Sequence, residues 1–106
     1  MNKIEQNRFL LVFISNNYAV ALYNKFLKQG LEIKIIPTPC SISSGCSQAI
    51  LFEEKDMDII KFEAARNSLC VKGIYKIIKK EDKTKYIDIY RFYFIEWGYR
   101  IKNVCT

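Results

Sequence analysis

The chain has no histidine among its 106 residues, and this absence excludes several kinds of site at once. Ser-His and Cys-His nucleophile pairs need an imidazole, and so do histidine-ligated metal centres. Zinc would have to bind cysteines alone, but five residues separate Cys40 from Cys46 and no short-spaced second pair exists. We therefore expect neither a metal nor another cofactor.

Long apolar runs are also missing. The longest, residues 9–14, is far shorter than the roughly 20 residues that a membrane helix requires, and it lacks the cleavage site of a signal peptide. We therefore expect a cytoplasmic protein with no membrane partner. In that compartment all four cysteines should be thiols rather than structural disulfides. They are Cys40, Cys46, Cys70 and Cys105.

Half of the residues are apolar, so the chain can form a modest core as one folded unit. The net charge of +6 is unevenly placed, because residues 1–65 carry seven basic and seven acidic groups while residues 66–106 carry ten and four. A basic, aromatic-rich segment can bind nucleic acid. Lysines on strand edges and turns are more often simply solvated, and the sequence favours that interpretation.

Local patterns predict four strands and two helices. An apolar run predicts a buried strand, Ser15 or Asn16 can cap the helix that follows, and Gly30 can end it. A candidate bulge at Gly73 and a helix stop at Asn67 are also predicted. The predicted strands are residues 8–14, 31–37, 48–53 and 68–80, and the predicted helices are residues 17–29 and 53–66.

This β-α-β-β-α-β order predicts an α+β fold, a ferredoxin-like sandwich over residues 1–80. Residues 81–106 form an extension with a further aromatic β-strand. Because the first strand is apolar at every position, both faces of the sheet should be covered. We expect the extension to pack on the open face, or the same surface of a second subunit to do so in a homodimer.

The candidate site is the loop between the second and third strands, "PTPCSISSGCSQ". Hydroxyl and amide donors around Cys46 favour its thiolate form, which is the nucleophile. The candidate ligand-binding groups are Ser43, Ser44, the Gly45 amide and Ser47. No lysine or arginine occurs in residues 37–53, so any further lowering of the thiol pKa must come from backbone dipoles or from residues distant in sequence.

The two cysteines of the loop, taken together, suggest an alternative role. If Cys40 and Cys46 approach closely enough to form a disulfide, the loop would be a thiol redox sensor. Cys70 lies in a predicted strand, where a buried small hydrophobic residue is expected. Cys105 lies one residue from the terminus, where fraying is expected.

The segment "FLLVFISNNYAVALYNKFLKQGLEIKIIPTPCSISSGC" resembles the selenium/sulfur carrier-like family, a former domain of unknown function. The resemblance covers residues 8–79. Its motif residues are Ser15, Gly30, Pro37, Pro39, Ile42, Ser43, Ser44 and Cys46. Two positions depart from the family pattern, since a basic residue is expected where Cys40 stands and a glycine where Ser47 stands.

The resemblance implies that Cys46 accepts sulfur or selenium as a persulfide or perselenide and passes it on. The protein would be a carrier rather than an enzyme, and its partners would be donor and acceptor proteins. Cys40 would offer a resolving thiol that releases the bound sulfur as a disulfide forms.

Overall fold

The computed structural model describes residues 7–43, 47–66 and 70–91, which form one antiparallel sheet with two helices on one side. The predicted α+β class is confirmed. The elements are β1 (Arg8–Phe13), α1 (Asn16–Lys28), β2 (Lys34–Pro37), β3 (Gln48–Glu53), a 3-10 turn (Glu54–Asp56), α2 (Met57–Arg66), β4 (Val71–Lys80) and β5 (Lys83–Arg91).

The described strands lie in the order β2-β3-β1-β4-β5, and each neighbouring pair is antiparallel. β1 is central, with Val12 opposite Ala49 of β3 and Phe13 opposite Val71 of β4. This register brings the end of β1, the start of β4 and the β2–β3 loop to the same end of the sheet. β5 is the edge strand beside β4, and residues 92–106 lie outside the described residues.

The capping residues predicted from the sequence begin and end α1. The Ser15 side chain caps the helix by accepting a hydrogen bond from the Tyr18 amide, at 3.3 Å. Gly30 follows the helix with a φ of 86°, a conformation that glycine adopts without strain. The face that α1 buries consists of Ala19, Leu22 and Phe26, as the helical spacing predicts.

β2 is shorter than predicted, since pairing begins at Lys34 rather than at Leu31. The reason is the end of α1, where the Gly30 amide donates to Leu27 O and the Leu31 amide donates to Phe26 O. These two bonds form the Schellman motif. In this motif the amide of the first residue after the glycine, here Leu31, is bonded to the helix. Leu31 is still buried in the core with Phe26, the hydrophobic contact that accompanies this motif.

The second predicted helix divides into the 3-10 turn and α2. Ile60 and Ala64 are buried, as their spacing predicts, and Met57 is half-buried against the same core. The predicted stop at Asn67 lies outside the described residues.

The two faces of the sheet bury separate clusters. Phe9, Leu11 and Phe13 point towards the helices and join the larger core. Leu10 and Val12 point towards the opposite face, which neither α1 nor α2 covers and which we call the open face. Both side chains are nevertheless completely buried. The prediction that both faces of β1 are covered is therefore confirmed. Among the described residues, those packed around Leu10 and Val12 are Ile36, Ile42, Ala49, Leu51, Tyr75, Ile77 and Tyr86.

Candidate functional site

The loop that joins β2 to β3 is closed by backbone hydrogen bonds at its base and in its first half. The Thr38 amide donates to Ser47 O at 2.9 Å, which extends the β2–β3 ladder by one step beyond the Pro37 and Gln48 pair. Pro39 O then accepts bonds from the Ile42 and Ser43 amides, at 3.0 and 3.1 Å. The first half of the loop is thus a tight turn rather than an open arc.

The N-terminus of α1 holds the returning end of the loop. The Gln48 amide donates to Asn16 Oδ1 at 3.0 Å, so the first residue of β3 is bound to the first residue of α1. The backbone at this end of a helix carries a partial positive charge. The end of the loop at Gln48 therefore lies next to a backbone dipole that favours anions.

Lys72 supplies the cation that the loop itself lacks. Its Nζ donates to Ile42 O at 3.0 Å, and the contact is partly buried. The pairing of β1 with β4 skips Lys72, because Val12 lies opposite Gly73 while Phe13 lies opposite Val71. Such an extra residue re-aims its side chain. The predicted irregularity at Gly73 is thus centred on its neighbour, Lys72.

Two buried hydroxyls lie at the base of the loop. Thr38 has 6% of its surface exposed, and the Oγ1 atom is buried. Ser47 Oγ is buried as well, and neither hydroxyl has a hydrogen-bond partner among the described residues. Ser47 was predicted as a ligand-binding group, whereas Thr38 was not, because threonine beside proline reads simply as a turn residue.

The remaining predicted site residues fall into two groups. Ser44, Gly45 and Cys46 lie outside the described residues. Ser43 is half-buried in the tight turn, and Cys40 is an exposed, free thiol at its outer side. Because Cys40 is free, the disulfide between Cys40 and Cys46 that the redox-sensor alternative requires is not formed in this structure.

Cys70 differs from its prediction in one respect. It is buried, as expected, with 8% of its surface exposed, and its carbonyl accepts a bond from the Ile14 amide at the end of β1. It is also disulfide-bonded, so the expectation that every cysteine is a thiol is wrong for this residue.

A second charged cluster lies between the helices, beside the first turn of α1. The carboxylate of Glu63 is buried and receives Lys25 Nζ at 3.1 Å and an Arg66 nitrogen at 3.6 Å. The Tyr18 hydroxyl is buried close to it, and the Tyr18 ring meets Phe13 edge to face. Desolvation, and then the negative charge of Glu63, raise the pKa of Tyr18 to about 12.

The described residues contain neither a metal-binding cluster nor a membrane-spanning helix. No group of three or more histidine, cysteine, aspartate or glutamate side chains in those residues could hold a metal ion. Neither helix of the described chain has the length and apolar character needed to cross a bilayer.

Comparison with known proteins gives one match. No curated protein and no solved structure matches the chain. A family model described as "Putative Se/S carrier protein-like" matches residues 8–76, which run from β1 into β4 and include the whole loop. That span is more than half of the 106 residues. The chain therefore belongs to this selenium/sulfur carrier-like family.

Proposed function

We propose that the protein is a non-enzymatic carrier that holds sulfur or selenium on Cys46 as a persulfide or perselenide. The Cys46 thiolate attacks the outer sulfur of a persulfide on a donor protein. A new sulfur–sulfur bond forms at Cys46, the bond in the donor breaks, and the donor leaves as a thiolate, so no external oxidant is needed. The observation that carries the proposal is the family match, because the matched segment includes the cysteine loop.

The electrostatics of the described residues support a thiolate in this loop. An ammonium group is bound at Ile42, and the N-terminus of α1 is bound at Gln48. Both features favour an anion over the neutral thiol. Lys72 also compensates for the departure from the family pattern at Cys40, because it brings a positive charge to a loop that lacks the basic residue expected there.

The order of the elements supports the fold that we propose. The elements run β1-α1-β2-β3-α2-β4 along the chain, and the strand order β2-β3-β1-β4 supports a ferredoxin-like domain over residues 1–80. Residues 81–106 then extend it. We place the protein in the cytoplasm, where it would meet donor and acceptor proteins.

Intact mass spectrometry tests the carrier role. The protein is reduced, desalted and incubated with a cysteine desulfurase and cysteine. We expect the wild type to gain the mass of one sulfur atom, Cys46→Ser to gain none, and Cys40→Ser, the matched control in the same loop, to gain one sulfur atom at least as completely as the wild type, because a resolving thiol releases sulfur and does not accept it. A mass that stays unchanged in the wild type, or that increases equally in Cys46→Ser, contradicts the proposal. Repeating the incubation with a selenocysteine lyase and selenocysteine tells selenium from sulfur.

A further inference from the structure

A cavity of about 850 Å³ lies on the open face of the sheet. Four of its lining side chains belong to the open-face cluster and are only half-buried, and we call them the apolar wall: Ile36, Leu51, Ile77 and Tyr86. A volume of this size is typical of sites for small organic molecules, in which apolar walls carry most of the contact and a few polar groups fix the orientation. The cavity therefore offers a surface for the apolar part of a ligand.

Two cations of the lining, Arg8 and Lys79, lie at one end of this cavity, and we call them the cation pair. Arg8 is opposite Ile77 in the sheet register, and Lys79 follows Ile77 by two residues. Because side chains alternate along a strand, both cations are on the open face with Leu10 and Ile77. They are diagonal neighbours on adjacent strands, at a spacing of about 7–8 Å that long side chains can bridge. The cation pair can therefore bind one anionic group together.

The charges of the cation pair are not neutralised within the described chain. Neither Arg8 nor Lys79 forms a salt bridge with a described residue, and the described lining contains no aspartate or glutamate. Two acids lie nearby: Glu53 is the cross-strand partner of Arg8, and Glu54 accepts a hydrogen bond from the lining residue Asn7 at 2.6 Å. Since neither acid lines the cavity, the field inside it favours an anion over a cation.

We propose that this cavity binds a small amphiphilic anion, whose apolar body lies on the apolar wall and whose acidic group lies between the two cations. Ile36 is in one row of the sheet with Ala49 and Val12. Val12 is four residues from Arg8, so the wall extends about 13 Å from the cation pair. A medium-chain fatty acid, or an aromatic carboxylate or sulfonate, has this length and charge. The site goes beyond the carrier function, because no described lining residue belongs to the cysteine loop.

Anilinonaphthalene sulfonate (ANS) is the probe, because it joins an aromatic body to one fixed negative charge and fluoresces strongly in apolar sites. Phenylnaphthylamine has the same rings without the sulfonate and is the neutral reference. The test variants are Lys79→Met and Arg8→Met. The matched control is Lys80→Met, because Lys80 is also exposed and lies next to Lys79, but its side chain alternates to the other face and it is not part of the described lining.

We expect ANS to bind the wild type and Lys80→Met equally, and each test variant at least about threefold more weakly. The neutral reference should bind all four proteins equally. In the wild type, ANS should shift the amide resonances of Ile77 and Tyr86. Unchanged ANS affinity in either folded test variant, or saturation without these shifts, overturns the proposal. Lys79 is exposed, so Lys79→Met decides the result if Arg8→Met does not fold.

The acidic group of the ligand is tested by displacement of ANS from the wild type. Octanoate should displace the probe at a concentration at least about threefold lower than octanol does, and equal displacement overturns the assignment of an anion. No saturable ANS binding to the wild type also overturns the site, and it favours the extension of residues 81–106 or a second copy as the cover of the open face. These measurements do not use sulfur loading, so they succeed or fail independently of the carrier proposal.

Discussion

Lys72→Met removes the charge that the structure places on the cysteine loop and keeps an unbranched side chain of similar length. The Nζ of Lys72 is 3.0 Å from Ile42 O, and four residue steps separate Ile42 from Cys46. Four extended residues span at most about 14 Å. The expected effect is worked out for a separation of about 10 Å between the ammonium and the thiolate, a value within that reach.

The expected effect follows from this separation. At about 10 Å, and with an effective dielectric constant of roughly 20 to 40, a unit charge stabilises the thiolate by about 0.8–1.7 kcal/mol. This energy corresponds to about 0.6–1.2 pH units. Loss of the cation removes that stabilisation and so raises the Cys46 pKa. Well below the pKa, alkylation of Cys46 should slow by roughly fourfold to sixteenfold.

The assay is the pH dependence of the iodoacetamide reaction at Cys46, resolved by peptide mass spectrometry after reduction. Lys76→Met is the matched control, because Lys76 lies on the same strand about 13 Å further along and is also half-buried. Lys72→Arg keeps the charge and should retain most of the wild-type profile. An unchanged pKa in Lys72→Met would refute the electrostatic role and leave Lys72 as a structural tie for the turn.

Three further predictions concern stability and the other cysteines. Because Tyr18 titrates near pH 12 in the folded protein and near 10 when unfolded, the unfolded chain loses this proton first and stability falls as the pH rises from 10 to 12. Urea titrations should show a smaller fall in Tyr18→Phe, and an equal fall in both proteins contradicts the raised pKa. Ser15→Ala removes the side chain that caps α1 and should lower the free energy of unfolding by about 1 kcal/mol, measured in urea at neutral pH; an unchanged midpoint would show that the cap contributes nothing. Without reductant, iodoacetamide should label Cys40 but not Cys70, whereas a bridge between Cys40 and Cys46 would favour the redox-sensor alternative.

Elements with local signals could be predicted from the sequence. The apolar run of β1 is too short for a buried helix, so its length predicts a buried strand. Ser15 and Gly30 mark the ends of α1 by their own backbone chemistry. The predicted bounds of β3 coincide with the observed Gln48–Glu53. β2 was predicted too long because alternation continues through Leu31, and periodicity does not reveal that a helix-ending motif already uses that amide.

The site could be predicted only in part, because its key contacts join segments that are distant in the sequence. The cysteine, glycine and serines of the loop are visible as a cluster, and their chemistry suggests an anion. Lys72 reaches Ile42 only through the register of β4 and a one-residue irregularity, and Gly73 was the sole hint. Thr38 becomes notable only once its burial and its partner across the ladder are known.

The central claim is that Cys46 carries the transferred atom, and peptide mass spectrometry after loading with a desulfurase tests it most directly. The protein is loaded, blocked with an alkylating reagent and digested without reductant. The account predicts one added sulfur on the peptide that contains residues 40–46, with fragment ions that place it on Cys46 rather than Cys40. Added sulfur on Cys40 alone, or on neither cysteine while a known carrier accepts sulfur under the same conditions, would contradict it.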